Sequence, residues 1–67
     1  MTDPKNEVNK RITIDPKVMA GKPVIKGTRI TVAYIIELMA DGMTVDDILN
    51  EYEGLKREDI LACLQYL

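Results

Sequence analysis

The side chains that could do chemistry in this sequence are mainly bases, and they are gathered in its first half. Residues 1–29 carry seven lysines and arginines against three acids, a charge of +4, whereas residues 30–67 carry two bases and eight acids, a charge of −6. Basic groups on one surface bind phosphate, and such phosphate contacts dominate the affinity of proteins for nucleic acid. The total of −2 alone argues against nucleic-acid binding. The split instead predicts two surfaces of opposite sign that meet different partners.

Four bases are the candidate DNA contacts. Lys26 and Arg29 lie in a segment rich in glycine and proline, and Lys56 and Arg57 open the last predicted helix. Arginine can bind a guanine edge or a phosphate through two hydrogen bonds, whereas lysine acts as a point charge. A base at a helix N-terminus is unfavourable beside the positive end of the dipole, which is a reason to expect a phosphate there. Ordinary solvation of surface charge is the competing interpretation.

For catalysis the sequence offers little. It has no histidine and one cysteine, Cys63, which excludes a histidine general base, a disulfide within the chain and a zinc site built on several cysteines. Cys63 falls on an apolar helical stripe and is interpreted as a small core residue. The adjacent carboxylates at 46–47 and 58–59 do not face a common site on a helix. We therefore expect no enzyme activity, no cofactor and no metal ion.

The first half predicts strands and turns. Residues 1–10 are polar and are predicted to form a flexible arm. Alternating apolar residues predict strand-like segments at 11–15 and 29–31, which could pair with each other across a turn-rich stretch. A ribbon of two strands is only marginally stable alone, so it must pack on helices or on a second subunit. The apolar strand residues are the candidate dimer or partner contacts: Ile12, Ile14 and Ile30.

From Thr31 the apolar period becomes helical, and three helices are predicted at about 32–41, 45–52 and 57–67. Thr31 is the expected N-cap of the first helix, and Gly42 its left-handed C′ residue in a Schellman ending. Thr44 and Asp47 have the spacing of a capping box, and Gly54 is expected to close the second helix. The predicted inner faces are Val32, Ile35, Ile36, Met39 and Ala40 in the first helix, Val45, Ile48, Leu49 and Tyr52 in the second, and Ile60, Cys63, Leu64 and Leu67 in the third.

The last two predicted helices are joined by a short turn that contains glycine, which is the pattern of a helix-turn-helix. In such a unit the N-terminal residues of the second helix enter the major groove. The exposed surface of this helix is acidic overall, which argues against tight DNA binding by a monomer. A helical hairpin that only completes a core is the alternative.

The length of 67 residues allows one small domain, predicted at 11–67. A chain this short buries only about 60% of its unfolded surface, so its stability is marginal and a partner is favoured. Its apolar runs fall short of the ~20 residues that cross a bilayer, and the polar N-terminus is unlike a signal peptide. We therefore expect a prokaryotic cytoplasmic protein.

The segment GKPVIKGTRITV at residues 21–32, with the helical region after it, resembles the family catalogued as domain of unknown function 433. The resemblance covers about residues 11–67, and its most specific part is Gly27-Thr28-Arg29-Ile30. Glu53 stands where the family often has proline, and Lys56 where it often has a serine or threonine cap. The resemblance implies a homeodomain-like fold. It also implies an antitoxin role, because family members often lie beside the gene of a nuclease-like toxin.

We therefore expect a mainly α fold, a three-helix homeodomain-like helix-turn-helix bundle with a short N-terminal β-like extension. The expected function is that of a non-catalytic antitoxin-like DNA-binding protein from a prokaryotic toxin–antitoxin pair. It would neutralise a nuclease-like toxin and, as a homodimer, repress its own promoter. An acidic face over a basic RNA-binding cleft would gain from electrostatic complementarity. The alternative is a protein-only dimerisation or adaptor module that binds no nucleic acid.

Overall fold

The computed structural model describes residues 10–66, in which two short strands precede three helices. The strands are β1 (Ile12–Thr13) and β2 (Val24–Ile25), and the helices are α1 (Val32–Ala40), α2 (Val45–Glu51) and α3 (Arg57–Tyr66). This order confirms the predicted mainly α class with a small N-terminal sheet. Residues 1–9 of the predicted arm and Leu67 lie outside the described residues. None of the helices described is long and apolar enough to cross a membrane.

The sheet differs from the predicted pairing of residues 11–15 with 29–31. β1 pairs antiparallel with β2, with Ile12 opposite Ile25. The second strand therefore comes from the stretch that glycines and prolines mark as turns. Its two residues are too few for an alternating pattern, and both are buried, so no period of two signals the strand.

The segment predicted as the second strand lies on the other side of β2. Thr31 forms an isolated antiparallel bridge with Val24, and the Val32 amide donates to the Pro23 carbonyl over 3.0 Å. β2 is thus bonded along both edges. This arrangement leads the chain directly from the sheet into α1.

Both predicted signals at the ends of α1 are confirmed. The hydroxyl of Thr31 accepts a hydrogen bond of 3.0 Å from the amide of the third helical residue, as an N-cap does. After the helix, Gly42 has a φ of +103°, and the Met43 amide donates to the Leu38 carbonyl over 3.1 Å. That bond is the outer one of a Schellman ending.

The predicted capping box of α2 is also confirmed. The Asp47 amide donates to Thr44 Oγ1 over 3.1 Å, and the Thr44 amide donates to Asp47 Oδ2 over 2.9 Å. These bonds hold the pKa of the Asp47 carboxyl below its usual range. The helix ends at Glu51, earlier than predicted, and Gly54 with φ +92° shapes the following turn instead of closing the helix.

Helix α3 is the centre of the fold, because it packs against α1, α2 and β1. Its inner face includes Ile60 and Cys63, as predicted, but Leu64 is 39% exposed. The buried stripe is rotated towards Asp59, which bonds to the β1 side of the molecule, and away from Leu64. The core cluster comprises Ile12, Ile25, Val32, Ile35, Ile48, Ile60, Ala62 and Cys63.

Candidate nucleic-acid interface

Residues 25–28 form a tight turn. It overlaps Gly27-Thr28-Arg29-Ile30, the most specific part of the family resemblance. The carbonyl of Ile25 accepts from the Thr28 amide over 2.9 Å and from the Thr28 hydroxyl over 2.8 Å, and the same hydroxyl oxygen accepts from the Ile30 amide over 3.0 Å. Gly27 has a φ of +81° at the third position of this turn, where a type II turn requires a left-handed residue. Thr28 therefore fixes the loop that carries two of the predicted bases.

A continuous series of hydrogen bonds joins this loop to the start of α3. The Lys26 amide donates to the Arg11 carbonyl over 2.7 Å. The Arg11 guanidinium donates to Asp59 Oδ1 over 3.0 Å, and the Lys56 amide donates to Asp59 Oδ2 over 2.9 Å. These bonds bring three bases to one side of the molecule. We call these three residues, Arg11, Lys26 and Lys56, together with Arg29 from the same loop as Lys26, the basic edge; the charge of Arg11 within it is paired with Asp59.

Asp59 is the buried acid on which this arrangement depends. It is 8% exposed, and it lies three residues after the N-cap Lys56, where a capping box places its acid. Lys56 has no side-chain oxygen to cap the helix in return, so only half of the box is formed. The spacing of Asp59 could have predicted this bond. No local signal could have predicted the partner Arg11, because it lies 48 positions away.

The predicted DNA contacts have different surroundings. Lys26, Arg29 and Lys56 are exposed. Arg57 is exposed too, but its guanidinium forms an ion pair with Asp46 at the start of α2. Such an exposed pair contributes about 0.2–1 kcal/mol, which a phosphate can exceed. In this structure Arg57 is therefore the partner of Asp46, and any phosphate would have to displace that carboxylate.

The three predicted partner contacts differ in how far they are buried. Ile12 is 5% exposed and lies in the core, because it sits on the face of β1 that α3 covers. Ile12 is therefore a core residue and not the partner contact that was predicted. Ile30 is half-buried and packs against the same core. Ile14 is 57% exposed, so it is the one of the three that offers most of its side chain to a partner.

The outer face of α3 carries features that the sequence pattern did not predict. Leu61 and Leu64 are exposed there, although a helix that reads base edges presents polar side chains. The polar and charged residues of this helix that suit such contacts lie at its N-terminal end. On the opposite face, burial raises the pKa of the Cys63 thiol to about 11, which keeps it protonated at neutral pH and unsuited to nucleophilic attack.

The fold and its site define a small, mainly helical domain that carries a basic edge at the start of its third helix. The model of the family described as protein of unknown function (DUF433) matches residues 12–67, and the chain belongs to this family.

A solved structure supports the same assignment. The chain is similar to the crystal structure of a DUF433 member protein from Anabaena variabilis ATCC 29413, with 31% identity and a TM-score of 0.83. The similarity covers 91% of this chain and 60% of that chain, so the sequence spans about three fifths of the length of that relative. A search of curated proteins found no match.

Proposed function

We propose that this chain is a non-catalytic, antitoxin-like DNA-binding protein of a prokaryotic toxin–antitoxin pair. It neutralises a nuclease-like toxin and, as a homodimer, represses its own promoter. The observation that carries the DNA part is the basic edge, in which hydrogen bonds through Asp59 tie the loop of Lys26 to the start of α3. The toxin part rests on the family resemblance and on the acidic charge of the helical region.

The basic edge supplies contacts of the phosphate-binding kind. Lys26 and Arg29 extend from a turn that Thr28 holds in place, and Lys56 stands at the N-terminus of a ten-residue helix. Contacts from such groups to phosphate position a protein on the duplex without reading its sequence. In this proposal, the start of α3 lies nearest to the DNA, and a second copy of the chain supplies a second set of phosphate contacts.

The acidic part of the chain supports the toxin half of the proposal. The exposed acids that lie outside the start of α3, at the end of α2 and on the connections between the helices, include Asp41, Glu51 and Glu53. A nuclease binds RNA in a basic cleft, and an acidic surface of this kind complements such a cleft. Complementary charge raises the association rate most strongly at low ionic strength.

A gel-shift titration with DNA from upstream of the gene tests the first half. We expect a shift at low micromolar protein, with weaker binding at about 200 mM than at 50 mM salt. The double variant Lys26→Gln/Arg29→Gln should bind at least ~10-fold more weakly and should show a salt slope smaller by about 0.9 for each lost phosphate contact. Lys17→Gln is the matched control, because Lys17 is an exposed loop lysine outside the basic edge. Absence of a shift at low salt, or an equal loss in the control, contradicts DNA binding.

Co-expression with the product of the adjacent gene tests the second half. We expect the two proteins to co-purify and the nuclease activity of the partner to be suppressed in the complex. The Lys26→Gln/Arg29→Gln variant should co-purify unchanged, because its substitutions lie outside the acidic surface. A partner that elutes alone and stays active contradicts the antitoxin role.

The second candidate function is a protein-only dimerisation or adaptor module. The exposed Leu61 and Leu64 on the outer face of α3 favour it, because apolar side chains in that position suit a protein surface better than base edges. This alternative predicts that every nucleic-acid assay is negative and that Leu61→Ser weakens capture of a protein partner.

A further inference from the structure

An apolar groove lies beside α1, outside the basic edge. It has a volume of about 460 Å³ and runs between the outward face of α1 and the end of α3. Its walls include Pro23 before the helix, Ala33, Ile36 and Ala40 along the helix, and Tyr66 at the end of α3. A groove of this composition on so small a domain is a surface for a partner rather than a pocket for a polar ligand.

The spacing of the α1 residues indicates what kind of partner fits. Ala33, Ile36 and Ala40 recur at intervals of three and four, so they share one face of the helix. Ile36 is half-buried and Ala40 is exposed, although the sequence pattern placed both on the inner face. The apolar stripe is therefore wider than the core that covers it. Two alanines leave room for the backbone of another helix to approach closely.

The charges of the groove indicate which helix that is. Lys22 and Glu37 both line the groove and are exposed. Neither forms an ion pair within residues 10–66. In a two-fold interface, a residue that contacts a second residue of the other copy is matched by the reverse contact. One surface that carries both a base and an acid is therefore complementary to itself, and the pair would form twice.

We propose that a second copy of this chain occupies the groove. The α1 helices of the two copies pack face to face, with Ile36 of each copy in the groove of the other and Lys22 of each copy bonded to Glu37 of the other. This inference deepens the proposed function, which needs a homodimer but does not locate its interface. None of the groove residues belongs to the basic edge.

Sedimentation experiments on charge-reversal variants, carried out without DNA or toxin, test this dimer separately from the proposed function. We expect the wild-type chain to form a dimer at protein concentrations up to about 200 µM, and Lys22→Glu or Glu37→Lys to weaken it at least tenfold, about 1.4 kcal/mol. The double variant Lys22→Glu/Glu37→Lys restores opposite charges across the interface, so it should return to within about threefold of the wild-type dissociation constant.

The controls reverse equivalent charges elsewhere. Lys17→Glu and Glu51→Lys change exposed residues outside the groove and should leave dimerisation unchanged. Ala40→Glu adds a charged side chain to the groove at an exposed position, so it should prevent dimerisation while the circular dichroism spectrum stays helical. A monomer at all concentrations, equal weakening in the controls, or no recovery in the double variant overturns the proposal.

Discussion

Replacement of Asp59 by alanine is expected to lower the free energy of unfolding by about 2–3 kcal/mol. The substitution removes two charge-assisted hydrogen bonds, one from the Arg11 guanidinium and one from the Lys56 amide. The second bond closes the N-terminus of α3, where loss of a cap alone costs about 1 kcal/mol. Arg11 is 41% exposed, so water can solvate it after the loss, which keeps the total below that of a fully buried pair.

The expected loss is large for this protein. A chain of this length has a total stability of about 3–10 kcal/mol, so the variant gives up a substantial part of it. Urea unfolding followed by far-UV circular dichroism measures the difference. Glu58→Ala is the matched control, because Glu58 is the adjacent acid and is exposed. Similar unfolding midpoints for the two alanine variants would show that the hydrogen bonds of Asp59 contribute no more to the free energy of unfolding than the exposed Glu58 does.

Two further variants separate the roles of Asp59. Asp59→Asn retains an oxygen that can accept from the Lys56 amide but loses the charge, so it should be less destabilising than alanine. Arg11→Met leaves the cap intact but also leaves the buried Asp59 carboxylate without its ion-pair partner, so it should cost about as much as the alanine variant. If the basic edge binds DNA as proposed, Arg11→Met should weaken binding, because it removes one of the four bases of that edge.

The features predicted correctly from the sequence are those determined by neighbouring residues. The N-cap Thr31, the capping box of Thr44 with Asp47, and the Schellman ending at Gly42 each involve partners at most five positions apart. Such bonds satisfy backbone groups that every helix end leaves open. Residue type and spacing were therefore sufficient to locate these three ends.

The features that were missed depend on residues that are distant in the chain. β2 is a strand because segments on both sides pair with it, and two residues are too few to show a pattern. Asp59 is buried because Arg11 reaches it from 48 positions away. The predicted bases Lys26 and Lys56 were identified by type and spacing. The bonds that place them on one side of the molecule could be found only in three dimensions.

Replacement of Ile60 by alanine is expected to have the largest effect of all, about 2–5 kcal/mol, because it removes buried methyl groups and leaves a cavity. Ile60 is 0% exposed and belongs to the core cluster of the domain. At the upper end of that range, the loss equals the whole stability of a weakly stable chain of this length, about 3–5 kcal/mol. We therefore expect the urea unfolding midpoint, followed by the helical circular dichroism signal, to fall further than in any of the other variants.

Leu64 provides the matched control on the same helix. It follows Ile60 by about one turn, and both residues are large and aliphatic, so the sequence pattern gave them equal places on the inner face of α3. Because Leu64 is 39% exposed, Leu64→Ala should cost about 1 kcal/mol or less. Alanine is the better helix former at both positions, so propensity cannot explain a difference between the variants. Equal losses would mean that α3 is rotated so that Leu64 also faces the core, whereas a loss confined to Ile60 supports the buried stripe that runs through Asp59 and Cys63.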